Sequence, residues 1–226
     1  MAGAAARPFA RLRFARPEFA RVRPVGYSVA MTRQASLTRT TSETAVSLSL
    51  DLDGSGTAEI TTGIGFLDHM LTSFARHALF DLRVEAQGDL HVDLHHTTED
   101  VGIVLGQAMV QALAEKRGIV RFGAALVPMD EALVEAAVDL SGRPFLAFSV
   151  PFERPAIGEM DTELFEEFFR ALAMNGLFNL HLVHRSGRNA HHVAEACFKS
   201  TARALRQAVA IDPRLQGALP STKGTL

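Results

Sequence analysis

Apolar and polar residues alternate with period two in four short stretches of the chain, and each stretch predicts a half-buried β-strand. The stretches are AVSLSLDL (45–52), LRVEA (82–86), VEAAVDL (134–140) and LAFSV (146–150). After Asp100 and again after Glu195, apolar residues recur at i+3 and i+4, which predicts amphipathic helices. The pattern therefore predicts an α+β protein in which sheets pack against helices.

The chain also contains an internal repeat. Three segments resemble three later ones in the same order: 43–56, 66–82 and 93–113 resemble 131–143, 164–180 and 189–209. Each copy has strands, a helix, a strand and a second helix that opens at a His-His pair, with Asp93 and Asn189 as predicted N-caps. We therefore expect one compact domain of two like halves, 34–124 and 125–226.

Composition narrows the class of protein. The chain has 226 residues, 47% of them hydrophobic and 21% charged, which is typical of a globular domain. Its net charge of −2 gives no reason to expect a nucleic-acid or membrane partner. A single cysteine, Cys197, excludes an internal disulfide and fits a reducing compartment, and no apolar run is long enough to span a bilayer. We therefore expect a cytoplasmic protein.

Residues 1–33 have a different composition from the rest. The first 30 residues contain six arginines but only one acidic residue, Glu18; the arginines are Arg7, Arg11, Arg13, Arg16, Arg21 and Arg23. Such a segment is either an organellar transit peptide, a disordered tail or an extension created by a start assigned upstream of Met31. The low serine content and the weak amphipathic period favour the tail or the misassigned start.

Each half carries His-His-x-x-Glu at the start of its second helix, at 95–99 and at 191–195. Adjacent side chains on a helix point about 100° apart, whereas residues three or four apart share a face. The glutamate can therefore share a metal ion with one histidine while the other histidine serves a second ion. Two copies at equivalent positions of a repeat favour metal binding over chance.

The repeat adds further ligand candidates. His69 lies eleven residues before Phe80 and Glu167 lies eleven before Phe178, so the two share one slot. The candidate ligands are His69, His95, His96, Glu99, Glu167, His191, His192 and Glu195. Nitrogen and oxygen donors without a thiolate favour Mn, Fe or Co over a structural zinc site. Three neighbouring carboxylates are expected to accept hydrogen bonds from imidazole N–H groups: Asp68, Asp93 and Asp100.

Three of the four remaining histidines, His77, His91 and His184, are expected to be surface or hydrogen-bonded core residues. Cys197 is expected to be a small packing residue, because no base is placed to activate it. A separate set of cationic and hydroxyl groups suits a phosphate dianion: Arg121, Arg143, Lys199, Ser221 and Lys223. For any one of these residues alone, a solvated charge is the simpler interpretation.

Several motifs in order resemble the imidazoleglycerol-phosphate dehydratase family of histidine biosynthesis. They are GIGFLDHML, DLHHTTED, MDEALVEAAVDLSGRP, RNAHHVAEACFK and the ending PSTKG. The resemblance runs from about Thr38 to the C-terminus. It leaves no room for the histidinol-phosphatase domain that some bacterial members carry.

The resemblance implies two ββαβα-like halves related to the ribosomal protein S5 domain 2 fold. It also implies a homo-oligomeric shell of 24 subunits, with two Mn²⁺ ions in each active site between subunits. The eight candidate ligands match ligand positions of the family, although some members have His where this chain has Glu167. The phosphate set matches as well, with the C-terminal tail contributing Ser221 and Lys223, and Glu43 matches a carboxylate that contacts substrate.

The implied reaction removes water from imidazole glycerol phosphate and gives imidazole acetol phosphate. No carbonyl activates the C–H bond that must break, so metal ions on the two ring nitrogens would have to stabilise charge on the imidazole. The candidate catalytic carboxylates are Glu43, our first choice of base, and Glu195. Two alternatives stay open at this point: a binuclear metal-dependent hydrolase or phosphatase, and a structural metalloprotein.

Overall fold

The computed structural model describes residues 32–226. The expectation for the N-terminal extension therefore lies outside the described residues, apart from its last two positions. The first half contains β1 (Gln34–Thr40), β2 (Thr44–Asp51), β3 (Ala58–Thr61), α1 (Gly65–Ala78), β4 (Asp81–Gly88) and α2 (His95–Leu113). The second half contains β5 (Phe122–Met129), β6 (Ala132–Asp139), β7 (Phe145–Ser149), β8 (Ala156–Ile157), β9 (Met160–Asp161), α3 (Glu163–Gly176), β10 (Asn179–Ser186) and α4 (Ala190–Val209).

The two halves build sheets of the same topology. The first sheet has the order β1-β2-β4-β3 and the second has the order β5-β6-β10-β7. In each sheet the last strand pairs in parallel with the strand that follows the first helix, and the other pairings are antiparallel. Strand β5 begins at Phe122, so it crosses the boundary that the sequence suggests between residues 124 and 125.

The four alternating stretches fall on β2, β4, β6 and β7, and the α+β prediction is confirmed. On β2, Val46, Leu48 and Leu50 are buried while the serines between them are exposed. One face of each sheet thus packs on helices, because burial of that face removes apolar surface from water.

Helices from opposite halves pack against each other, α1 on α4 and α2 on α3. The α2–α3 approach requires glycine. A Cβ atom at Gly102 would lie 2.8 Å from the Phe168 carbonyl oxygen, and one at Gly106 would lie 2.6 Å from the Gly176 nitrogen. The repeat places Phe198 and Ala202 at the equivalent positions of α4. Glycines therefore occupy these positions in the α2–α3 pair but not in the α1–α4 pair.

The start of each second helix is fixed by a polar side chain. Asn189 Oδ1 accepts a hydrogen bond from the His191 N–H at 3.0 Å, which confirms the predicted N-cap. Asp93 Oδ1 accepts from the His95 N–H at 2.8 Å, although the cap position itself is Leu94, one residue later than predicted. Both His-His pairs therefore begin on an anchored first turn.

Candidate metal centre

Three metal-ligating side chains meet where α1 packs against the first turn of α4. His69 extends from α1, and His191 and Glu195 extend from α4. Glu195 Oε2 lies 3.2 Å from His191 Nε2 and 3.7 Å from His69 Nε2. One ligand atom from each residue lies within 4.8 Å of the other two. Within residues 32–226 this is the only such group of three or more His, Cys, Asp or Glu side chains.

Electrostatics keep the carboxylate of this group charged. Glu195 is 7% exposed, and its burial alone would raise the pKa. The Lys199 ammonium, 2.7 Å from Glu195 Oε1, and the nearby His69 and His191 outweigh burial, so the net pKa of Glu195 is lowered. An ionised carboxylate beside two imidazoles is therefore present at neutral pH.

The aromatic ring of Phe66 packs against the two histidines of this group. The Phe66 ring lies 5.1 Å from the His191 ring and 6.4 Å from the His69 ring, measured between centroids. Two imidazole nitrogens and one carboxylate oxygen form a donor set that holds divalent transition metals, and three protein donors leave positions open for other ligands. The residues therefore fit a metal ion.

The repeat-equivalent residues of the other helix pair are Glu167 on α3 and His95 and Glu99 on α2. Glu167 instead lies 3.7 Å from Arg170 of its own helix. Across residues 32–226, these three side chains do not form a three-donor group. The structure thus brings together one of the two ligand sets that the sequence suggests, and leaves the second spread over the ends of two packed helices.

The two rings of each His-His pair are nearly perpendicular. The His95 and His96 rings are 6.2 Å apart at 78°, and the His191 and His192 rings are 6.1 Å apart at 83°. The expectation that the two histidines of a pair serve different ions stays a prediction.

The outer histidine of each pair, His96 or His192, contacts a carboxylate. His96 Nδ1 lies 3.1 Å from Asp89 Oδ2, and His192 Nδ1 lies 2.7 Å from Glu131 Oε2. The hydrogen bond to Asp89 raises the pKa of His96, and the one to Glu131 raises the pKa of His192. In return, His192 and the Asn189 N–H lower the pKa of Glu131 to about 2.

The prediction that Asp68, Asp93 and Asp100 accept from imidazole N–H groups is wrong. Asp68 accepts from the Thr62 N–H and hydroxyl, and Asp93 accepts from the His95 backbone. Asp100 is buried and accepts from the Arg39 guanidinium and the Thr44 hydroxyl. Sequence proximity was misleading because these carboxylates satisfy backbone and core groups. The acceptors that were missed are Asp89 and Glu131.

The phosphate candidates divide between two places. Arg121 donates to both oxygens of Asp139, at 2.7 and 3.1 Å, and to the Pro220 carbonyl at 2.9 Å. This contact holds the tail beside Arg121, with Ser221 and Lys223 next along the chain. Arg143 follows β6 in the loop that closes on Ser141. Lys199 instead points to Glu195, at the metal-ligand group.

Two titratable residues near these groups, Lys116 and His77, have lowered pKa values. No sequence pattern singled out Lys116, and His77 was predicted to have a structural role only. Lys116 is 7% exposed, and burial lowers its pKa against the opposing effect of Asp139. His77 is half-buried, and its burial is the main reason that its pKa is lowered. The positive charges of Lys199 and Arg203 lower the pKa further. A buried lysine preceding an Arg-Gly turn has no periodic signal, so sequence alone could not have identified it.

The structural readings of the other polar residues hold. His184 Nε2 is hydrogen-bonded to the Gly187 carbonyl at 2.9 Å, and His91 is exposed. Cys197 is fully buried, and burial raises the pKa of its thiol, which confirms a packing role. No helix between residues 32 and 226 is both long and apolar enough to cross a membrane.

Known proteins of one family are similar to this chain. The family model described as imidazoleglycerol-phosphate dehydratase matches residues 62–205. Relatives of that name from Acidiphilium cryptum and Granulibacter bethesdensis are 68% and 67% identical over 196 residues, which is 87% of this chain and 100% of each relative.

Solved structures give the same result. The crystal structure of imidazoleglycerol-phosphate dehydratase from Staphylococcus aureus has a TM-score of 0.73 and 41% identity, covering 79% of this chain and 99% of that one. The enzyme from Pyrococcus furiosus has a TM-score of 0.73 and 39% identity, covering 84% of this chain and 100% of that one. On sequence and on fold, the chain belongs to the imidazoleglycerol-phosphate dehydratase family.

Proposed function

We propose that this chain catalyses the reaction for which its family is named, the removal of water from imidazole glycerol phosphate to give imidazole acetol phosphate. It is a hydro-lyase of histidine biosynthesis with a small-molecule substrate. The observation that carries the proposal is the group of His69, His191 and Glu195, which places two imidazoles and an ionised carboxylate at one point. We also propose a cytoplasmic location, in keeping with a fully buried single cysteine.

Two Mn²⁺ ions per site account for the full ligand set. His69, His191 and Glu195 would hold the first ion. Glu167, His95 and Glu99, which the repeat makes equivalent, would hold the second. His96 and His192 belong to neither of these two sets, and we propose that they complete the sites of neighbouring copies in a homo-oligomer of 24 subunits. Divalent ions held by these residues would supply Lewis-acid chemistry toward the substrate.

The protein's own carboxylates must move the proton. The hydroxyl on the carbon next to the ring leaves as water, the proton on the neighbouring carbon passes to a base, and the resulting enol becomes the ketone. Glu43 is the first candidate for that base, because its side chain is 52% exposed and its closest ion-pair contact, with His96 Nδ1, is 3.8 Å. Glu195 is the second candidate, but Lys199 and His191 already engage it.

The cationic groups fix the other end of the substrate. Arg121 anchors the tail through the Pro220 carbonyl, which brings Ser221 and Lys223 to the side of the sheet where Asp139 ends β6. Arg143, in the loop that follows β6, would add a cation to this group, and such a set suits a phosphate dianion. Lys199 lies instead at the metal-ligand group and would reach the substrate from there. A fixed phosphate limits where the reacting carbon can lie, and such positioning contributes strongly to rate.

The test is turnover by the purified chain after metal removal and reconstitution with Mn²⁺. We expect the acetol product from imidazole glycerol phosphate with reconstituted protein, and none with chelator-treated protein. A generic phosphomonoester serves as the control substrate. Phosphate release from either substrate without ketone formation would indicate a hydrolase, and binding of metal without binding of substrate would indicate a structural centre. Normal turnover by metal-free protein would refute the proposed role of the ligands.

A further inference from the structure

Two carboxylates contact histidine rings without belonging to any proposed ligand set. Asp89, in the connection between β4 and α2, lies 3.1 and 3.2 Å from His96 Nδ1 through its two oxygens. Glu131, in the turn between β5 and β6, lies 2.7 Å from His192 Nδ1. These distances are those of charge-assisted hydrogen bonds. Each acceptor therefore favours a proton on Nδ1 of its histidine.

A proton on Nδ1 leaves the lone pair of a neutral imidazole on Nε2. Metal-binding histidines commonly donate their second N–H group to a carboxylate, which fixes both the tautomer and the orientation of the ring. The ring of His192 is 24% exposed and that of His96 is 34% exposed. Both side chains are therefore partly open to solvent, and Nε2 of each ring lies on the other side from the carboxylate at Nδ1. Asp130 Oδ2 lies 3.7 Å from Nε2 of His192, beyond hydrogen-bond distance, so among residues 32–226 that nitrogen is left without a hydrogen-bond acceptor.

The two acceptors occupy different positions in the repeat. Glu131 corresponds to Glu43, because each lies eight residues before an aspartate, Asp139 or Asp51. In the second half Glu131 accepts from His192 and also from the Asn189 N–H at 3.0 Å, so its carboxylate is occupied.

In the first half, the carboxylate that contacts the outer histidine is Asp89. The Asp89 backbone N–H donates to the Glu43 carbonyl at 3.1 Å, which seats Asp89 beside His96. The Glu43 carboxylate remains 3.8 Å from His96 Nδ1, beyond hydrogen-bond distance, and 52% exposed. The carboxylate that the repeat makes equivalent to Glu131 therefore makes no hydrogen bond to His96.

We propose that Asp89 and Glu131 are positioning residues that fix the Nδ1–H tautomers of His96 and His192 and direct Nε2 of each ring to a metal ion. By this division, Glu43 is free to act as the base whereas Glu131 is not. The inference rests on the proposed function and deepens it, because it assigns separate tasks to two carboxylates that the repeat makes equivalent.

Mn²⁺ affinity and turnover separate these tasks in the assembled protein. Free Mn²⁺ is measured by its electron paramagnetic resonance signal during titration of metal-free protein. We expect Asp89→Ala and Glu131→Ala to weaken Mn²⁺ binding about 10–100-fold, the usual effect of removing an outer partner of a metal-bound histidine. Glu43→Gln should bind Mn²⁺ like the wild type and lower kcat about 10²–10⁴-fold, as expected for loss of a general base.

Two further variants guard against loss of structure. Glu135→Gln alters a carboxylate on the same β5–β6 hairpin that pairs with Arg185 instead of a histidine, and it should leave Mn²⁺ affinity unchanged. Glu131→Gln retains an oxygen that can accept from Nδ1, so it should bind Mn²⁺ more tightly than Glu131→Ala. Its kcat should return to the wild-type value at saturating Mn²⁺, which a lost base would not permit.

Wild-type Mn²⁺ affinity in Glu131→Ala would overturn the proposal. If circular dichroism shows that Glu131→Ala does not fold, Glu131→Gln is the test instead. A kcat of Glu131→Gln that stays low at saturating Mn²⁺ would overturn the proposal. Failure of the proposed reaction is distinguishable, because a wild-type protein that binds Mn²⁺ but forms no acetol product still permits the comparison of Mn²⁺ affinities.

Discussion

The two halves of the molecule share one topology, but the two helix pairs that they form, α1 with α4 and α2 with α3, hold their ligand candidates differently. Between α1 and α4, His69, His191 and Glu195 already converge within 4.8 Å. Between α2 and α3, the equivalent Glu167 lies beside Arg170, away from His95 and Glu99. The helix contacts also differ, with Gly102 and Gly106 on α2 where α4 has Phe198 and Ala202. A repeat thus preserves positions along the chain more faithfully than it preserves contacts between side chains.

The strongest way to break this comparison is to remove one histidine from each half. We expect His191→Ala and His95→Ala each to abolish acetol formation, because each removes a proposed metal ligand. Loss of a hydrogen-bond partner of a metal-bound histidine weakens metal binding about 10–100-fold, and loss of the histidine itself should weaken Mn²⁺ binding more than that. His181→Ala, on the exposed side of β10, is the matched control and should retain activity. Normal turnover in His95→Ala alone would show that only the α1–α4 set is a metal site.

The helix contacts provide a second comparison, of intermediate size. Gly106→Ala would place a Cβ 2.6 Å from the Gly176 nitrogen and 2.7 Å from the Leu172 carbonyl oxygen. We expect this overpacking to lower the free energy of unfolding by about 1–3 kcal/mol. The equivalent change in the other direction, Ala202→Gly, should lower it by about 1 kcal/mol through helix propensity. Urea denaturation followed by circular dichroism measures both, and a stabilised Gly106→Ala would show that α2 and α3 are not this closely packed.

The smallest expected effect on stability comes from the polar residues that begin β4 and β10, Asp81 and Asn179. Asp81 Oδ1 accepts from the backbone N–H groups of Ser55, Gly56 and Thr57 at 2.8, 3.1 and 2.9 Å. The repeat places Asn179 at the equivalent position, where its amide donates to the Arg143 carbonyl at 2.6 Å. The first half therefore ties down its β2–β3 loop with an ionisable group, and the second half uses a neutral one.

Backbone hydrogen bonds, led by that of Thr57, lower the pKa of Asp81 below its ordinary value of 3.8. The stabilisation is therefore present above pH 3.8 and is lost as the pH falls through the lowered value. Asp81→Asn should reduce stability by about 1 kcal/mol at neutral pH and flatten the acid side of the Tm profile. Asn179→Asp is the reverse control, since a carboxylate facing a carbonyl oxygen should destabilise the protein as it ionises. Parallel Tm profiles for wild type and Asp81→Asn would contradict this account.

Much of the architecture was predictable because the repeat and the period-two stretches are local features of the sequence. The four alternating stretches became β2, β4, β6 and β7. Strands β1 and β5 lie at sheet edges, and β5 reads FGAALVPM, in which Gly, Ala and Pro hide the strand signal. The two-residue strands β8 and β9 have no counterpart in the first half and no periodicity to reveal them.

The ligand group was predictable in membership but not in assembly. The slot shared by His69 and Glu167 could be counted from the sequence, whereas the convergence of His69 with His191 depends on how α1 packs against α4. The acceptors of the histidine N–H groups were mispredicted for the same reason. Asp93 and Asp100 are nearer to the histidines along the chain, but Glu131 reaches His192 from a turn 61 residues away.

Complete burial of Cys197 has a practical consequence for spectroscopy. It is the chain's single cysteine, and its thiol is enclosed two residues beyond Glu195, so maleimide reagents have no native target in the folded protein. A cysteine introduced at Val92, which is 61% exposed in the connection that also carries Asp89, would therefore be a unique attachment point for a fluorophore or spin label. Such a probe would report on the surroundings of His96 without any need to mutate the native thiol.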